Sequence, residues 1–129
     1  MRTIIYIILC AIMAVPLKAT NLAKSKWICE LSSSCCDTIN LYSDNQFEDY
    51  SCELNYTCKG HYSFKNGIVI LIEKDDSHDE DNGKVSFYRL TFKLYDNCLY
   101  PISDEVLVNG IWKKMPKSLF KKRVFHRVN

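Results

Sequence analysis

The Asn-Gly dipeptides Asn66-Gly67 and Asn109-Gly110, two of the three in the chain, restrict what it can fold into more than any other feature. The first lies between K-G-H-Y-S-F and I-V-I-L-I-E, the second between E-V-L-V and I-W-K-K. Asn and Gly both tolerate positive φ, which a two-residue hairpin turn needs if its twist is to match that of the flanking strands. Two such turns commit the chain to antiparallel pairing. Other segments repeat the theme. In D-T-I-N-L-Y-S, Ile39 and Leu41 share one face, with Asn40 and Tyr42 on the other; Ser43-Asp44-Asn45 then turns into Q-F-E-D-Y-S-C. K-W-I-C-E-L precedes them as a short strand. Ile68 to Ile72 is apolar on both faces, as in a strand covered on both sides or lying in a curved sheet. K-V-S-F-Y-R-L-T-F-K-L-Y points Tyr88, Leu90, Phe92 and Leu94 inward, against Arg89, Thr91 and Lys93 outward. C-L-Y-P-I follows, and Pro101 is expected to confine it to an edge or a strand end. The tail fits both a helical stripe and strand alternation, and its Val and Phe content favours a final strand.

Strands at a spacing of about 8–12 residues, with no convincing helix, predict an antiparallel sandwich or barrel. The first nineteen residues stand apart. Arg2, an apolar run from Ile4 to Val15 and a closing Ala19 describe a secretory signal peptide, too short to span a bilayer. Its removal from 129 residues leaves 110, enough for one domain over residues 20–129. Arg2 and Lys18 depart with it, so 15 basic residues balance 15 acidic ones. That balance excludes a generally basic nucleic-acid binder. Secretion, to the extracellular space or the periplasm, is the expected localisation.

Cysteine usage agrees with export. Cys10 falls in the signal; Cys29, Cys35, Cys36, Cys52, Cys58 and Cys98 remain. Six cysteines in a small exported domain read as a disulfide framework, because oxidising compartments keep such bonds. Three bridges and no unbridged thiol are expected, with Cys52–Cys58 the one local pair the spacing suggests. Zinc would favour C-x2-C or H-x3-H spacing, which is absent here, and the histidines His61, His78 and His126 are isolated.

Trp27 in S-K-W, then D-T-I-N-L-Y-S-D-N-Q-F, K-G-H-Y-S-F-K-N-G-I-V-I-L and Y-R-L-T-F-K-L-Y-D-N-C-L-Y-P, together resemble the small lipocalin-like (calycin-type) proteins exported by bacteria. The resemblance covers about residues 25–101. It implies an all-β fold: a single antiparallel β-barrel or half-open barrel of about eight strands, disulfide-stapled, whose inside is packed or holds one small apolar ligand.

No catalytic constellation appears. There is no G-x-S-x-G, and the adjacent acids Glu48 and Asp49 would point to opposite faces of a strand. The expectation is a non-enzyme without a cofactor or bound metal. The acidic stretch Asp75 to Gly83 lacks the order of an EF-hand and reads as a solvated loop. Seven basic residues after Glu105 form a candidate docking surface for lipid headgroups, glycan or an acidic protein: Lys113, Lys114, Lys117, Lys121, Lys122, Arg123 and Arg127. The competing role is to balance the acidic loop and keep an edge strand soluble. Trp27, Tyr62, Phe64, Phe87, Phe92 and Trp112 are candidate lining for a ligand pocket, although inward aromatics are more often core. Asn55-Tyr56-Thr57 is a glycosylation sequon, which places that turn on the surface. The function expected is a monomeric binding module for a protein partner or a small apolar ligand, without a transmembrane segment. The alternative is an exported inhibitor or immunity-type protein that blocks a hydrolase.

Overall fold

The period-two alternation of the sequence is realised as nine strands in a computed structural model that describes residues 21–75, 86–116 and 123–128. They are β1 (Ser25–Ser32), β2 (Cys35–Leu41), β3 (Gln46–Ser51), β4 (Tyr56–Lys65), β5 (Ile68–Asp75), β6 (Ser86–Tyr95), β7 (Cys98–Val108), β8 (Ile111–Lys114) and β9 (Phe125–Val128). Neighbours in sequence pair antiparallel from β1 to β7. The barrel closes because β9 inserts between β7 and β1, pairing Cys98 with His126 on one side and Ile28 with His126 on the other. Eight strands thus form the closed barrel, and β8 hairpins off the far half of β7. The sequence predicts the two Asn-Gly turns correctly: Asn66 and Gly67 have φ of 53° and 76°, Asn109 and Gly110 of 51° and 78°. Both positions of each turn are left-handed, as a twist-matched hairpin requires. Among the described residues no helix is long and apolar enough to cross a membrane.

The inside is built in two layers. At one end Trp27, Ile39, Leu41, Phe47, Val69, Leu71, Leu90, Phe92, Leu99 and Phe125 are almost wholly excluded from solvent. Each occupies an inward position of its strand, and the apolar area they bury is the main source of stability. Phe92 and Phe125 meet edge to face, ring centres 5.8 Å apart. Leu22, just before β1, is buried with them, and its carbonyl accepts from the Ser25 hydroxyl, which itself accepts from the Trp27 indole. Towards the other end the inward positions turn polar: Cys29, Asp37, Asp49 and Glu73 are all buried. Ile68, Ile70 and Ile72, the outer face of β5, are half-buried.

The structure departs from expectation in two places. Pro101 does not end a strand, because β7 runs through it. The pairing shifts there, from Phe92 opposite Pro101 to Thr91 opposite Ser103, so Ile102 is an extra residue. A bulge accommodates the missing N–H. Cysteine pairing also differs, with one bridge where three are expected. Cys35 joins Cys52, their Cα atoms 5.6 Å apart, while Cys29, Cys36, Cys58 and Cys98 lie outside any bridge. The proposed Cys52–Cys58 pair is not formed. Cys58 stands in β4 opposite inward-facing Asp49, whereas Cys52 lies in the turn beyond β3, where its sulfur is joined to Cys35 at the start of β2. The observed bridge ties β2 to the end of β3 and stabilises by about 3 kcal/mol. The acidic segment after Asp75, and Lys117, Lys121 and Lys122, lie outside the described residues.

Gly60 is where the backbones come closest. A Cβ built there would sit 1.8 Å from the Ile72 carbonyl oxygen and 3.0 Å from Phe47. Neither the carbonyl nor the packed ring can yield without moving a strand. Gly60→Ala is therefore expected to cost about 2 kcal/mol or more by chemical denaturation. Gly67→Val, which strains only a turn, is expected to cost about 1 kcal/mol.

Candidate functional site

Two features stand out chemically, one inside the barrel and one on its wall. Inside, Arg123 reaches from the residue pair before β9 into the polar layer. Its Nε donates to Asp37 Oδ2 at 3.0 Å, and a terminal nitrogen lies 2.9 Å from Asp37 and 3.5 Å from Asp49. The side chains of Asp37 and Asp49 are 5% and 7% exposed, so these are buried ion pairs whose desolvation must be met by full pairing. Asp37 also accepts from the Cys52 backbone N–H at 2.8 Å, which links the bridge to the cluster. The guanidinium lies 5.1 Å from the Phe125 ring centre.

Among the described residues one cation, Arg123, serves four carboxyls. Burial pushes Glu73 well above the carboxylate range; a hydrogen bond to Asp49 and the charge of Asp49 push the same way, against the pull of Arg123. Burial likewise raises Asp104 to about 6, again opposed by Arg123. Glu73 Oε1 and Asp104 Oδ1 are buried without a hydrogen-bond partner among the described residues. The cluster therefore holds protons at pH values where exposed carboxyls have lost them. Among the described residues no group of His, Cys, Asp and Glu is arranged to hold a metal ion.

The second feature is a groove of 730 Å³ on the outer wall across β3 to β6. Gly60 of β4 is among its lining residues, at the point where the backbones of β4 and β5 come closest. Tyr42, Ile72 and Phe87 supply its apolar surface, and Glu48, Lys59 and Lys74 its charge. Glu48 and Lys59 lie 3.8 Å apart as an exposed pair, and exposed Lys74 adds a further positive charge. Burial, followed by the charge and hydrogen bond of Glu48, raises the Tyr42 hydroxyl.

The candidate aromatics do not converge on one pocket. Trp27 and Phe92 are core. Tyr62 packs against the core and donates to the Tyr42 carbonyl, and Phe64 is partly exposed at the hairpin end. Phe87 lines the outer groove. Trp112 lies under the Arg89 guanidinium, 4.6 Å away, and Arg89 grips Glu105 through two hydrogen bonds. Of the basic tail, Lys113 and Lys114 are exposed. Arg123 is spent in the interior, and Arg127 lies 5.8 Å from the Trp27 ring and donates to the Asn21 carbonyl. Both arginines are thus engaged by the protein's own groups. Asn55 of the sequon is exposed in its turn and accepts from the Tyr50 hydroxyl.

Comparison with protein-family models, curated proteins and solved structures finds no match to the chain. Its chemistry has to be read from its own residues.

The raised carboxyls dictate how stability responds to pH. A carboxyl with a higher pKa folded than unfolded binds its proton more tightly when folded, so stability falls as pH rises between the two values. For Asp104 that window runs from 3.8 to about 6, and Glu73 extends it upwards. Melting temperature is expected to fall between about pH 5 and pH 7. Asp104, being partly screened by solvent, contributes on the order of 1 kcal/mol. The double substitution Glu73→Gln with Asp104→Asn should flatten the slope. A wild-type melting temperature that holds or rises across the window would contradict the burial of these protons.

Proposed function

We propose that this chain is a secreted, non-enzymatic binding module of lipocalin-like type that recognises a protein partner on its outer wall. The observation that carries this reading is the groove on the outer wall beside a packed apolar layer. The apolar end of the interior is filled by side chains at 0–5% exposure, while the groove opens outside, across β3 to β6. A barrel that carries an apolar ligand needs an apolar hollow of a few hundred Å³, whereas a filled one presents its surface. The Cys35–Cys52 bridge suits an oxidising compartment, and eight closed strands suit the lipocalin-like resemblance. Tyr42, Ile72 and Phe87 beside the positive charge of Lys74 favour a partner segment with an apolar side chain next to a carboxylate. A rigid wall loses little entropy on binding.

Peptide display against the purified protein tests this directly. Selected peptides should pair an aromatic or aliphatic residue with Asp or Glu, and lose at least tenfold in affinity with Lys74→Glu or Phe87→Ala. Native mass spectrometry should show the protein leaving its source without a small apolar molecule. Peptides indifferent to both substitutions, or a retained apolar ligand, would contradict the reading.

A further inference from the structure

Cys98 begins β7 on the outward face, because its neighbour Leu99 is wholly buried. Directly across the ladder stands His126 of β9, and the Cys98 Sγ lies 3.1 Å from its Nδ1. The imidazole is exposed and the thiol half-buried, between the exposed rings of Tyr95 and Tyr100. The Tyr100 hydroxyl is pushed up by the charge of Cys98, with burial and a hydrogen bond to the sulfur adding to it. Sulfur is thus bracketed by a base and a hydroxyl on a rigid two-strand platform, open to solvent. That is the arrangement by which a neighbouring base activates a thiol nucleophile.

No other cysteine among the described residues can reach it. Cys36 on β2 is three strands away in one direction round the barrel, roughly 14 Å at about 4.8 Å per strand, against a limit of about 7 Å between bridged Cα atoms. Cys58 on β4 is three strands away in the other direction and faces inward, and Cys29 is buried inside. Cys98 therefore has no bridging partner among the described residues, which leaves an external thiol.

We propose that Cys98 is a thiol–disulfide exchange site at which His126 acts as base, and that it captures a low-molecular-weight thiol as a mixed disulfide. The step balances within the reactants. As Sγ attacks one sulfur of a small disulfide R–S–S–R, its proton passes to His126 Nδ1. The Cys98–S–S–R bond forms, the R–S–S–R bond breaks, and the departing R–S⁻ takes the proton back from the imidazolium. Cys98 is oxidised and one R–S group is reduced to R–SH. This site is separate from the outer groove and does not depend on the reading given to it.

The test uses the bridge-intact protein, first stripped of mixed disulfides by brief mild reduction, and oxidised glutathione as the probe. Intact mass should rise by one glutathionyl group, and digestion should place it on Cys98. Cys98→Ser should abolish this adduct, while Cys36→Ser with Cys58→Ser should leave it. His126→Gln should slow the exchange at least tenfold at neutral pH; His126 is exposed, so the fold should survive, and His126→Ala serves as a second variant. Tyr100→Phe should slow it less. First reaction at Cys36 or Cys58, an unchanged rate in both His126 variants, or Cys98 recovered in an internal bridge would each overturn the proposal.

Discussion

The guanidinium of Arg123 is the point at which the barrel closes. The strand that seals it, β9, has only four residues and shares three register positions with β1 and two with β7. So short a strand has little backbone pairing to hold it and depends on its side chains. Phe125 fills the apolar layer against Phe92, and two residues earlier Arg123 binds carboxylates carried by β2 and β3. The end of the chain is thereby pinned to strands two and three places round the sheet from β9. Asp37, the main acceptor, also holds the Cys52 backbone, so ion pair, bridge and closure meet at one carboxylate.

This arrangement leaves the charge of the interior incompletely met. Two acids would have sufficed for one arginine, yet Glu73 and Asp104 also face inward, each with an oxygen that has no partner among the described residues. The barrel accommodates them by keeping protons on them, the cheaper alternative to burying more charge. A core so filled, apolar in one layer and ionic in the next, makes the wall stiff. The groove across β3 to β6 and the contact of Cys98 with His126 both lie on the outside of that wall.

Much of this was legible in the residues. Period-two runs and Asn-Gly turns specify the hairpins, since only a strand puts Ile39 with Leu41 and only a twist-matched turn wants both dipeptide positions left-handed. The ionic layer was partly legible too. Asp37 shares the parity of Ile39 and Leu41, Asp49 that of Phe47, and Glu73 that of Val69 and Leu71, so three acids stood at inward positions. Asp104 was hidden by the bulge at Ile102, which moves the inward face from odd to even residues along β7. The Cys35–Cys52 bridge and the Cys98–His126 contact depend on which strands end up adjacent, and no local spacing reports closure between β7 and β9. The role of Arg123 was obscured in the same way, because a basic run looks solvated until its partners appear across the barrel.

The central claim is that closure of the barrel depends on the buried pairing of Arg123 with Asp37, and a double-mutant cycle measures that pairing directly. Arg123→Met, Asp37→Asn and the double variant would be unfolded in denaturant beside the wild type. Each single change is expected to destabilise strongly, and the pair to show a coupling of about 2–3 kcal/mol, as for charges that leave each other uncompensated when one is removed. A coupling below about 0.5 kcal/mol, the value of an exposed surface pair, would show that β9 is held by packing alone and would contradict the account.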